Sequence, residues 1–309
     1  MRILVTGGAG FIGSNIVDRC IAEGHEVAVV DNLATGRREN VNPGAEFYEV
    51  SITDADALAE VFVRERPEIV NHHAAQMDVR RSVREPQFDA GTNVIGTINV
   101  IEAAREVGTR KLIFASTGGA IYGDAETVPT PEEAPLQPVS HYGTSKRSAE
   151  LYFELYGRLY GMQYTILRYA NVFGPRQNPH GEAGVNAIFA NMMLRGERPT
   201  IFGTGDKTRD YVFVGDVVEG NMLALERGTG ETLNIGRGIQ ITDQEVYDAV
   251  AEAVGFSEPP IYGDERVGDV RHSCVDPAKA RSVLGWEPTV EFREGVRRTV
   301  DYQRERELR

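Results

Sequence analysis

Tyr142 and Lys146 stand four residues apart in the stretch SHYGTSKRSAELYFELYGRLYG. At the start of a helix that spacing puts both side chains on one face. An ammonium beside a phenol favours the phenolate, so Lys146 is expected to lower the pKa of Tyr142, as a general base working near neutrality requires. A lone Y-x-x-x-K pair on a helix is more often an ordinary surface pair. Here it follows KLIFASTGGAIYG, which reads as a strand closing on Ser116 and Thr117 and so supplies a hydroxyl partner.

A second chemistry is written at the other end, in RILVTGGAGFIGSNIV. Glycines that follow a strand and open a helix let the backbone approach a pyrophosphate, which the free N–H groups and dipole of the helix N-terminus attract. Two patterns overlap there: Gly8, Gly10 and Gly13, or Gly7, Gly10 and Gly13 after Thr6. The next strand, EVAVVDN, ends on Asp31, at the distance expected for a carboxylate that binds a ribose hydroxyl. Such a carboxylate repels a 2′-phosphate and favours NAD over NADP, although Arg37 or Arg38 in TGRREN would suit the phosphate.

The elements that must position these groups follow a regular rhythm. Short apolar runs (RILVT, EVAVV, EFYEV, EIVN, KLIFAS, YTILR) alternate with amphipathic stretches, among them a long helix from Gly143 to Tyr160. That rhythm predicts right-handed βαβ units, a parallel sheet covered on both faces, and ligands at the carboxyl ends of its strands. The expected fold is α/β, a Rossmann-type doubly wound parallel sheet over residues 1–170 with a smaller C-terminal α/β substrate lobe over 171–309. Residues 212–236 are expected to cross back to the first unit.

The net charge of -13 on 309 residues opposes binding to a nucleic-acid backbone or an anionic membrane. No apolar run approaches the roughly 20 residues of a membrane span, and Arg2 to Thr6 already reads as a buried strand rather than a signal peptide. Four lysines stand against 29 arginines. Cys20 and Cys274 cannot build a disulfide framework, which fits a reducing cytoplasm. No metal centre is expected: His72 and His73 are adjacent at a strand end and point opposite ways, and there is neither an H-E-x-x-H motif nor a cysteine cluster.

Taken together these motifs resemble the extended short-chain dehydrogenase/reductase superfamily, and within it the UDP-galactose 4-epimerase group. The family pattern T-G-x-x-G-x-x-G falls on Thr6, Gly7, Gly10 and Gly13, and its tyrosine and lysine on Tyr142 and Lys146. Further family-like stretches are HHAAQ, NVIGT with Asn93, LRYANVFGPRQ with Asn171, GTGDKTRDYVFVGDV with Arg209, and RVGDVRHS with Arg266 and Asp269. The resemblance resolves the glycine overlap toward Gly7, Gly10 and Gly13 and makes Gly8 a turn residue.

The resemblance implies a reversible redox cycle on a nucleotide sugar, UDP-glucose with UDP-galactose. Tyr142 would take the proton of the sugar 4-hydroxyl while hydride passes to NAD, and the 4-keto sugar would turn and recover the hydride on its other face. Lys146 would assist Tyr142 and bind the nicotinamide ribose, and Thr117, with Ser116 in reserve, would hydrogen-bond the reacting oxygen. The implied cofactor shell is Gly7, Gly10, Phe11, Ile12, Gly13, Asp31, Asn32, Ser51, Ile52, Ala74, Ala75, Asn93, Tyr142, Lys146 and Tyr169. Ser51 departs from the family's aspartate, which weakens an adenine contact. The implied substrate contacts are Thr117, Asn171, Val185, Asn186, Arg209, Arg266 and Asp269.

Gly118 and Gly119 occupy the positions where sugar-nucleotide dehydratases of this class carry an Asp-Glu pair, and the glutamate usual in decarboxylases is missing too. Simple oxidation and return at carbon 4 is the chemistry this supports. A small residue at Ser273 implies room for N-acetylated sugars. The rival of another class, a non-catalytic nucleotide sensor, fits less well with retention of both Tyr142 and Lys146. Leu151, Leu155 and Leu159 beside Tyr152, Tyr156 and Tyr160, on the helix that the family uses for pairing, imply a homodimer.

Overall fold

Strand β1 (Arg2–Thr6) carries a side chain to each face of its sheet in turn: Ile3 and Val5 enter one apolar layer and Leu4 the other. The same double burial runs through β2 (Glu26–Asp31), β4 (Ile69–His72), β5 (Lys111–Thr117) and β6 (Gln163–Tyr169), with β3 (Glu46–Glu49) at the edge. This is what a parallel sheet sandwiched by helices requires. The computed structural model describes residues 1–179, 184–265 and 270–307.

One layer packs on α1 (Phe11–Ala22), the other on α2 (Ala55–Glu65), α5 (Gly96–Val107) and α7 (His141–Tyr160). Two short helices, α3 (Val79–Arg84) and α4 (Pro86–Ala90), and a wide π turn at Gly91–Ile95 lead into α5, and α6 (Gly118–Ile121) follows β5 directly. Ser140 starts α7 by accepting the N–H of Gly143 at 3.1 Å, and Gly161, with φ 68°, ends it. Along α7, Ala149 and Phe153 face the sheet, while Leu151, Leu155 and Leu159 are 47%, 37% and 61% exposed and form an apolar outer stripe.

Beyond β6 the chain forms β7 (Asn171–Phe173), α8 (Val185–Leu194), β8 (Thr200–Phe202) and β9 (Thr208–Phe213), then α9 (Val214–Ala224) and β10 (Glu231–Ile235). Strand β10 pairs with β6, so the main sheet has seven parallel strands in the order β10-β6-β5-β4-β1-β2-β3. Its α9 lies on α1 and shares the first apolar layer. The remaining elements are β11 (Gln240–Thr242), α10 (Asp243–Val254), β12 (Ile261–Gly263), β13 (His272–Ser273), α11 (Ala278–Leu284) and α12 (Phe292–Glu307). Helices α8, α10 and α12 close a separate core with Phe173, Tyr211 and Phe213, over a small sheet in which β9 is flanked by β7, β11 and β13.

The strand order reverses between β1 and its neighbours β2 and β4, which opens a crevice at their carboxyl ends, the place where such sheets take ligands. No helix among the described residues is long and apolar enough to cross a membrane.

Candidate active site

The crevice begins with the turn after β1. Gly7 has φ 70°, and a Cβ there would stand 2.6 Å from Ala74 N; a Cβ on Gly13 would stand 2.2 Å from Gly7 O. Only glycines allow β1, the start of α1 and the loop after β4 to come this close, which leaves the backbone N–H groups of the α1 N-terminus bare for a phosphate. Gly8 is in the turn as expected, and it also packs: a Cβ there would press Val29 at 2.8 Å. Phe11 reaches the core of the second lobe and Ile12 that of the first, so the glycine turn is fastened to both.

Asp31 ends β2 buried, with Oδ2 accepting the N–H of Ala9 at 3.0 Å and Oδ1 that of Leu33 at 2.8 Å. Burial raises its pKa and the two backbone donors oppose the shift. Each oxygen keeps acceptor capacity for a ribose hydroxyl. The space in front of it exists because residue 36 is glycine, where a Cβ would lie 2.8 Å from Oδ1. Arg38 lies over the Phe47 ring at 4.2 Å and Arg37 contacts Glu39 at 3.4 Å, so neither guanidinium is held at Asp31. Asn32 Oδ1 accepts the N–H of Ala34, Ser51 Oγ bonds Thr53 Oγ1 at 2.8 Å, and Ile52 is buried against Gly96.

The loop after β4 is held by a buried relay. Thr6 Oγ1 contacts His72 Nδ1 at 2.6 Å, His72 Nε2 contacts Thr97 Oγ1 at 3.0 Å, and Thr97 donates to Asn93 O. Because Thr97 commits its proton to Asn93, the network assigns the imidazole proton to Nε2. Burial and the neighbouring Lys146 keep His72 uncharged. Ala74 N donates to Thr6 Oγ1, and Ala75 follows half-buried. Asn93 bonds Gln76 through both ends of its amide and reaches Asp89, so it clasps this loop instead of offering its amide to a ligand.

His73 stacks on Tyr169 at 6.0 Å between centroids, and burial pushes its pKa down to about 3. The Tyr169 hydroxyl bonds Asn221 on α9, and its ring backs His73.

Tyr142 and Lys146 share one face of α7, and Thr117 ends β5 beside them. The Lys146 Nζ lies 6.0 Å from the Tyr142 ring centroid and donates to Ala115 O at 2.8 Å. Burial lowers the Lys146 pKa to about 8, with Asp89 and Glu150 pulling it back up. The expected lowering at Tyr142 is not what the geometry produces. Burial and then Asp89 raise its pKa, and only a hydrogen bond with Thr117 acts the other way. The ammonium shares the tyrosine's face but points past it to the β5 carbonyl, which is the reason for the difference.

Ser116 is turned to the opposite side of β5, where it donates to Glu150 Oε1 at 2.6 Å beneath the ion pair of Glu150 with Arg168 at 2.7 Å. Its place as a reserve catalytic hydroxyl is therefore corrected, because successive strand residues face opposite ways. Glu150, Arg168, Asp89, Gln76 and Ser145 were not singled out from the sequence. Spacing of four from Lys146 to Glu150 and from Asp89 to Asn93 was the available signal.

On the far side of the crevice, Asn171 opens β7, and a Cβ on Gly119 would lie 3.4 Å from its Oδ1 and 3.9 Å from Thr117 Oγ1. At Gly118 a side chain would meet Val275 at 2.7 Å, so an acidic residue there does not fit without displacing the neighbour. Val185 opens α8, and Asn186 is buried with neither amide atom partnered among the described residues. Arg209 is half-buried on β9 in register with Ser273. Arg266 and Asp269 lie outside the described residues. Among the described residues no group of three or more His, Cys, Asp or Glu is placed to hold a metal ion.

Comparison with known proteins agrees with this geometry. The family model described as "NAD dependent epimerase/dehydratase family" matches residues 3–236. A UDP-glucose 4-epimerase of Mycolicibacterium smegmatis is 45% identical over 310 residues, spanning 98% of this chain and 99% of that one. The structure of UDP-glucose 4-epimerase with UDP-glucose from Thermotoga maritima superposes with TM-score 0.98 at 51% identity, over 99% of each chain. That of the Thermus thermophilus enzyme in complex with NAD gives 0.93 at 47% identity, over 98% of this chain and 99% of that one. With the glycine turn, Asp31 and the Tyr142, Lys146 and Thr117 cluster in their places, the chain belongs to the NAD-dependent epimerase/dehydratase family.

Proposed function

We propose that this protein is a UDP-glucose 4-epimerase that interconverts UDP-glucose and UDP-galactose through a transient 4-keto sugar. The observation that carries the reading is the convergence of Tyr142, Lys146 and Thr117 at the end of β5, beside two glycines in place of further acid-base side chains. Residues 1–170 with 212–236 would hold the cofactor, and the rest of the chain the UDP-sugar. Gly7, Gly10 and Gly13 would receive its pyrophosphate and Asp31 a ribose. NAD, when bound, takes up a hydride and gives it back.

Every other part of the cycle falls to side chains. Tyr142 removes the 4-hydroxyl proton and later returns it, Thr117 orients the oxygen between them, and Lys146, held by the Ala115 carbonyl, would bind the nicotinamide ribose. The raised proton affinity of the buried phenol suits the return of the proton. Arg209, Arg266, Asn171, Asp269, Val185 and Asn186 would hold the UDP portion; planar guanidinium groups match phosphate oxygens in a chain otherwise rich in negative charge.

The small side chain of Ser273, in register with Arg209, supports acceptance of the N-acetylated pair as well. A homodimer formed through the exposed leucine stripe of α7 accompanies this reading, as does a reducing cytoplasm, in keeping with two buried free thiols. The test is a panel of UDP-sugars with product analysis: UDP-galactose should yield UDP-glucose without added NAD being consumed. Failure to convert either hexose would refute the assignment.

A further inference from the structure

Asp89 on α4 is fully buried, yet no cation touches it among the described residues. Three neutral donors from three elements converge on it: Ser145 Oγ of α7 at 2.6 Å, Gln76 Nε2 of the loop after β4 at 2.9 Å, and Asn93 Nδ2 of the π turn at 3.0 Å. The orientation of both amides is fixed, because Asp78 N donates to Gln76 Oε1 and Gln76 N donates to Asn93 Oδ1. Their NH2 groups must therefore face Asp89. The carboxylate of Asp89 thus sits sealed beneath the candidate active site, with three donors turned to it.

We propose that Asp89 is a positioning residue of the reaction: it locks the first turn of α7 to the loop after β4, and its charge sets how the proton is held at Tyr142 and Lys146. Both of these groups feel it, Lys146 and Tyr142 each being helped to keep a proton. The other groups facing Lys146 are Glu150 on its own helix and His72 and His73 on the β4 side. Thr117 faces Tyr142 from β5.

Charged side chains elsewhere around α7 are engaged away from the pair: Arg81 of α3 with Glu85 and the Phe88 ring, Glu102 of α5 with Arg105, and Arg168 of β6 with Glu150. Among the described residues, Asp89 is a charge outside α7 that bears on both members at once.

This inference rests on the epimerase reading, and Asp89→Asn separates charge from bonding. The amide oxygen can still accept from Gln76 and Asn93 while its NH2 donates to Ser145. Both limbs of the kcat–pH profile for UDP-galactose conversion should move to lower pH by about one unit. Asp89→Glu restores the charge and should return the limbs to their wild-type positions even if kcat falls. Ser145→Ala cuts one tie and should lower kcat with the limbs in place.

Tyrosinate absorbance of the unliganded protein, taken as the difference from a Tyr142→Phe background, reads the same downward shift in Asp89→Asn without any turnover. A failure of the epimerase reading would leave this titration intact. Unmoved limbs together with an unmoved tyrosinate titration in Asp89→Asn would overturn the proposal.

Discussion

Ser116 and Thr117 are neighbours on β5, yet the Ser116 hydroxyl is bonded to Glu150 inside a buried ionic network while Thr117 faces the Tyr142 side and tempers the rise in its pKa. The two hydroxyls should separate in mutagenesis. Thr117→Ala should lower kcat about tenfold to a hundredfold, the worth of a hydrogen bond to a charged group. Ser116→Ala should cost about 1–3 kcal/mol in denaturant unfolding and leave kcat near wild type. The reverse pattern would mean that the strand is assigned to the wrong register of function.

Tyr142→Phe removes the proposed proton-transfer atom at the sugar 4-oxygen and keeps the ring that packs there. Turnover should fall at least about 100-fold with KM little changed. Steady-state kinetics with UDP-galactose decides it, and near-normal turnover would remove Tyr142 from the mechanism.

Lys146 is held at a cost. Its pKa is lowered from 10.5 to about 8 by burial, so between those values the unfolded chain binds more protons than the folded one, and stability rises with pH. Below about 8 the buried charge is present in full and the penalty is largest. Lys146→Met should therefore be more stable than wild type at pH 7, by on the order of 3 kcal/mol, with the gain shrinking toward pH 10. Denaturant unfolding of the unliganded proteins at both pH values measures this, and a variant less stable at pH 7 would contradict it. Turnover in the same variant should be lost.

Gly36 leaves open the space in front of Asp31, where an added Cβ would stand 2.8 Å from one carboxylate oxygen and 2.9 Å from the other. Gly36→Ala should weaken NAD binding by at least about tenfold, equivalent to 1.4 kcal/mol, while unfolding changes little. Fluorescence titration with NAD reads the loss; unchanged affinity would place the ribose elsewhere.

Much of the main sheet was legible because a strand buried on both faces must be apolar throughout, and RILVT, EVAVV and KLIFAS have no other economical reading. In the second lobe the helical stretches AGVNAIFANMMLRG, DQEVYDAVAEAVG and PAKARSVLG were legible too. Its small sheet was not, since β7, β11 and β13 are two or three residues long and acquire strand form only by pairing with β9. Helix α12, FREGVRRTVDYQRERE, is so rich in charge that its narrow apolar edge of Phe292, Val296 and Val300 shows only once a core meets it.

Residue type and local spacing determined the glycine turn, the position of Asp31 at a strand end, and the shared face of Tyr142 and Lys146, because each is decided within one or two turns of chain. The tertiary structure decided what those groups feel. Burial raises the pKa of Tyr142, the Ala115 carbonyl draws the ammonium of Lys146 past the ring, and Asp89, more than fifty residues away in sequence, brings its charge beneath both. Desolvation and long-range charge depend on neighbours supplied by other strands and helices, and no local pattern encodes them.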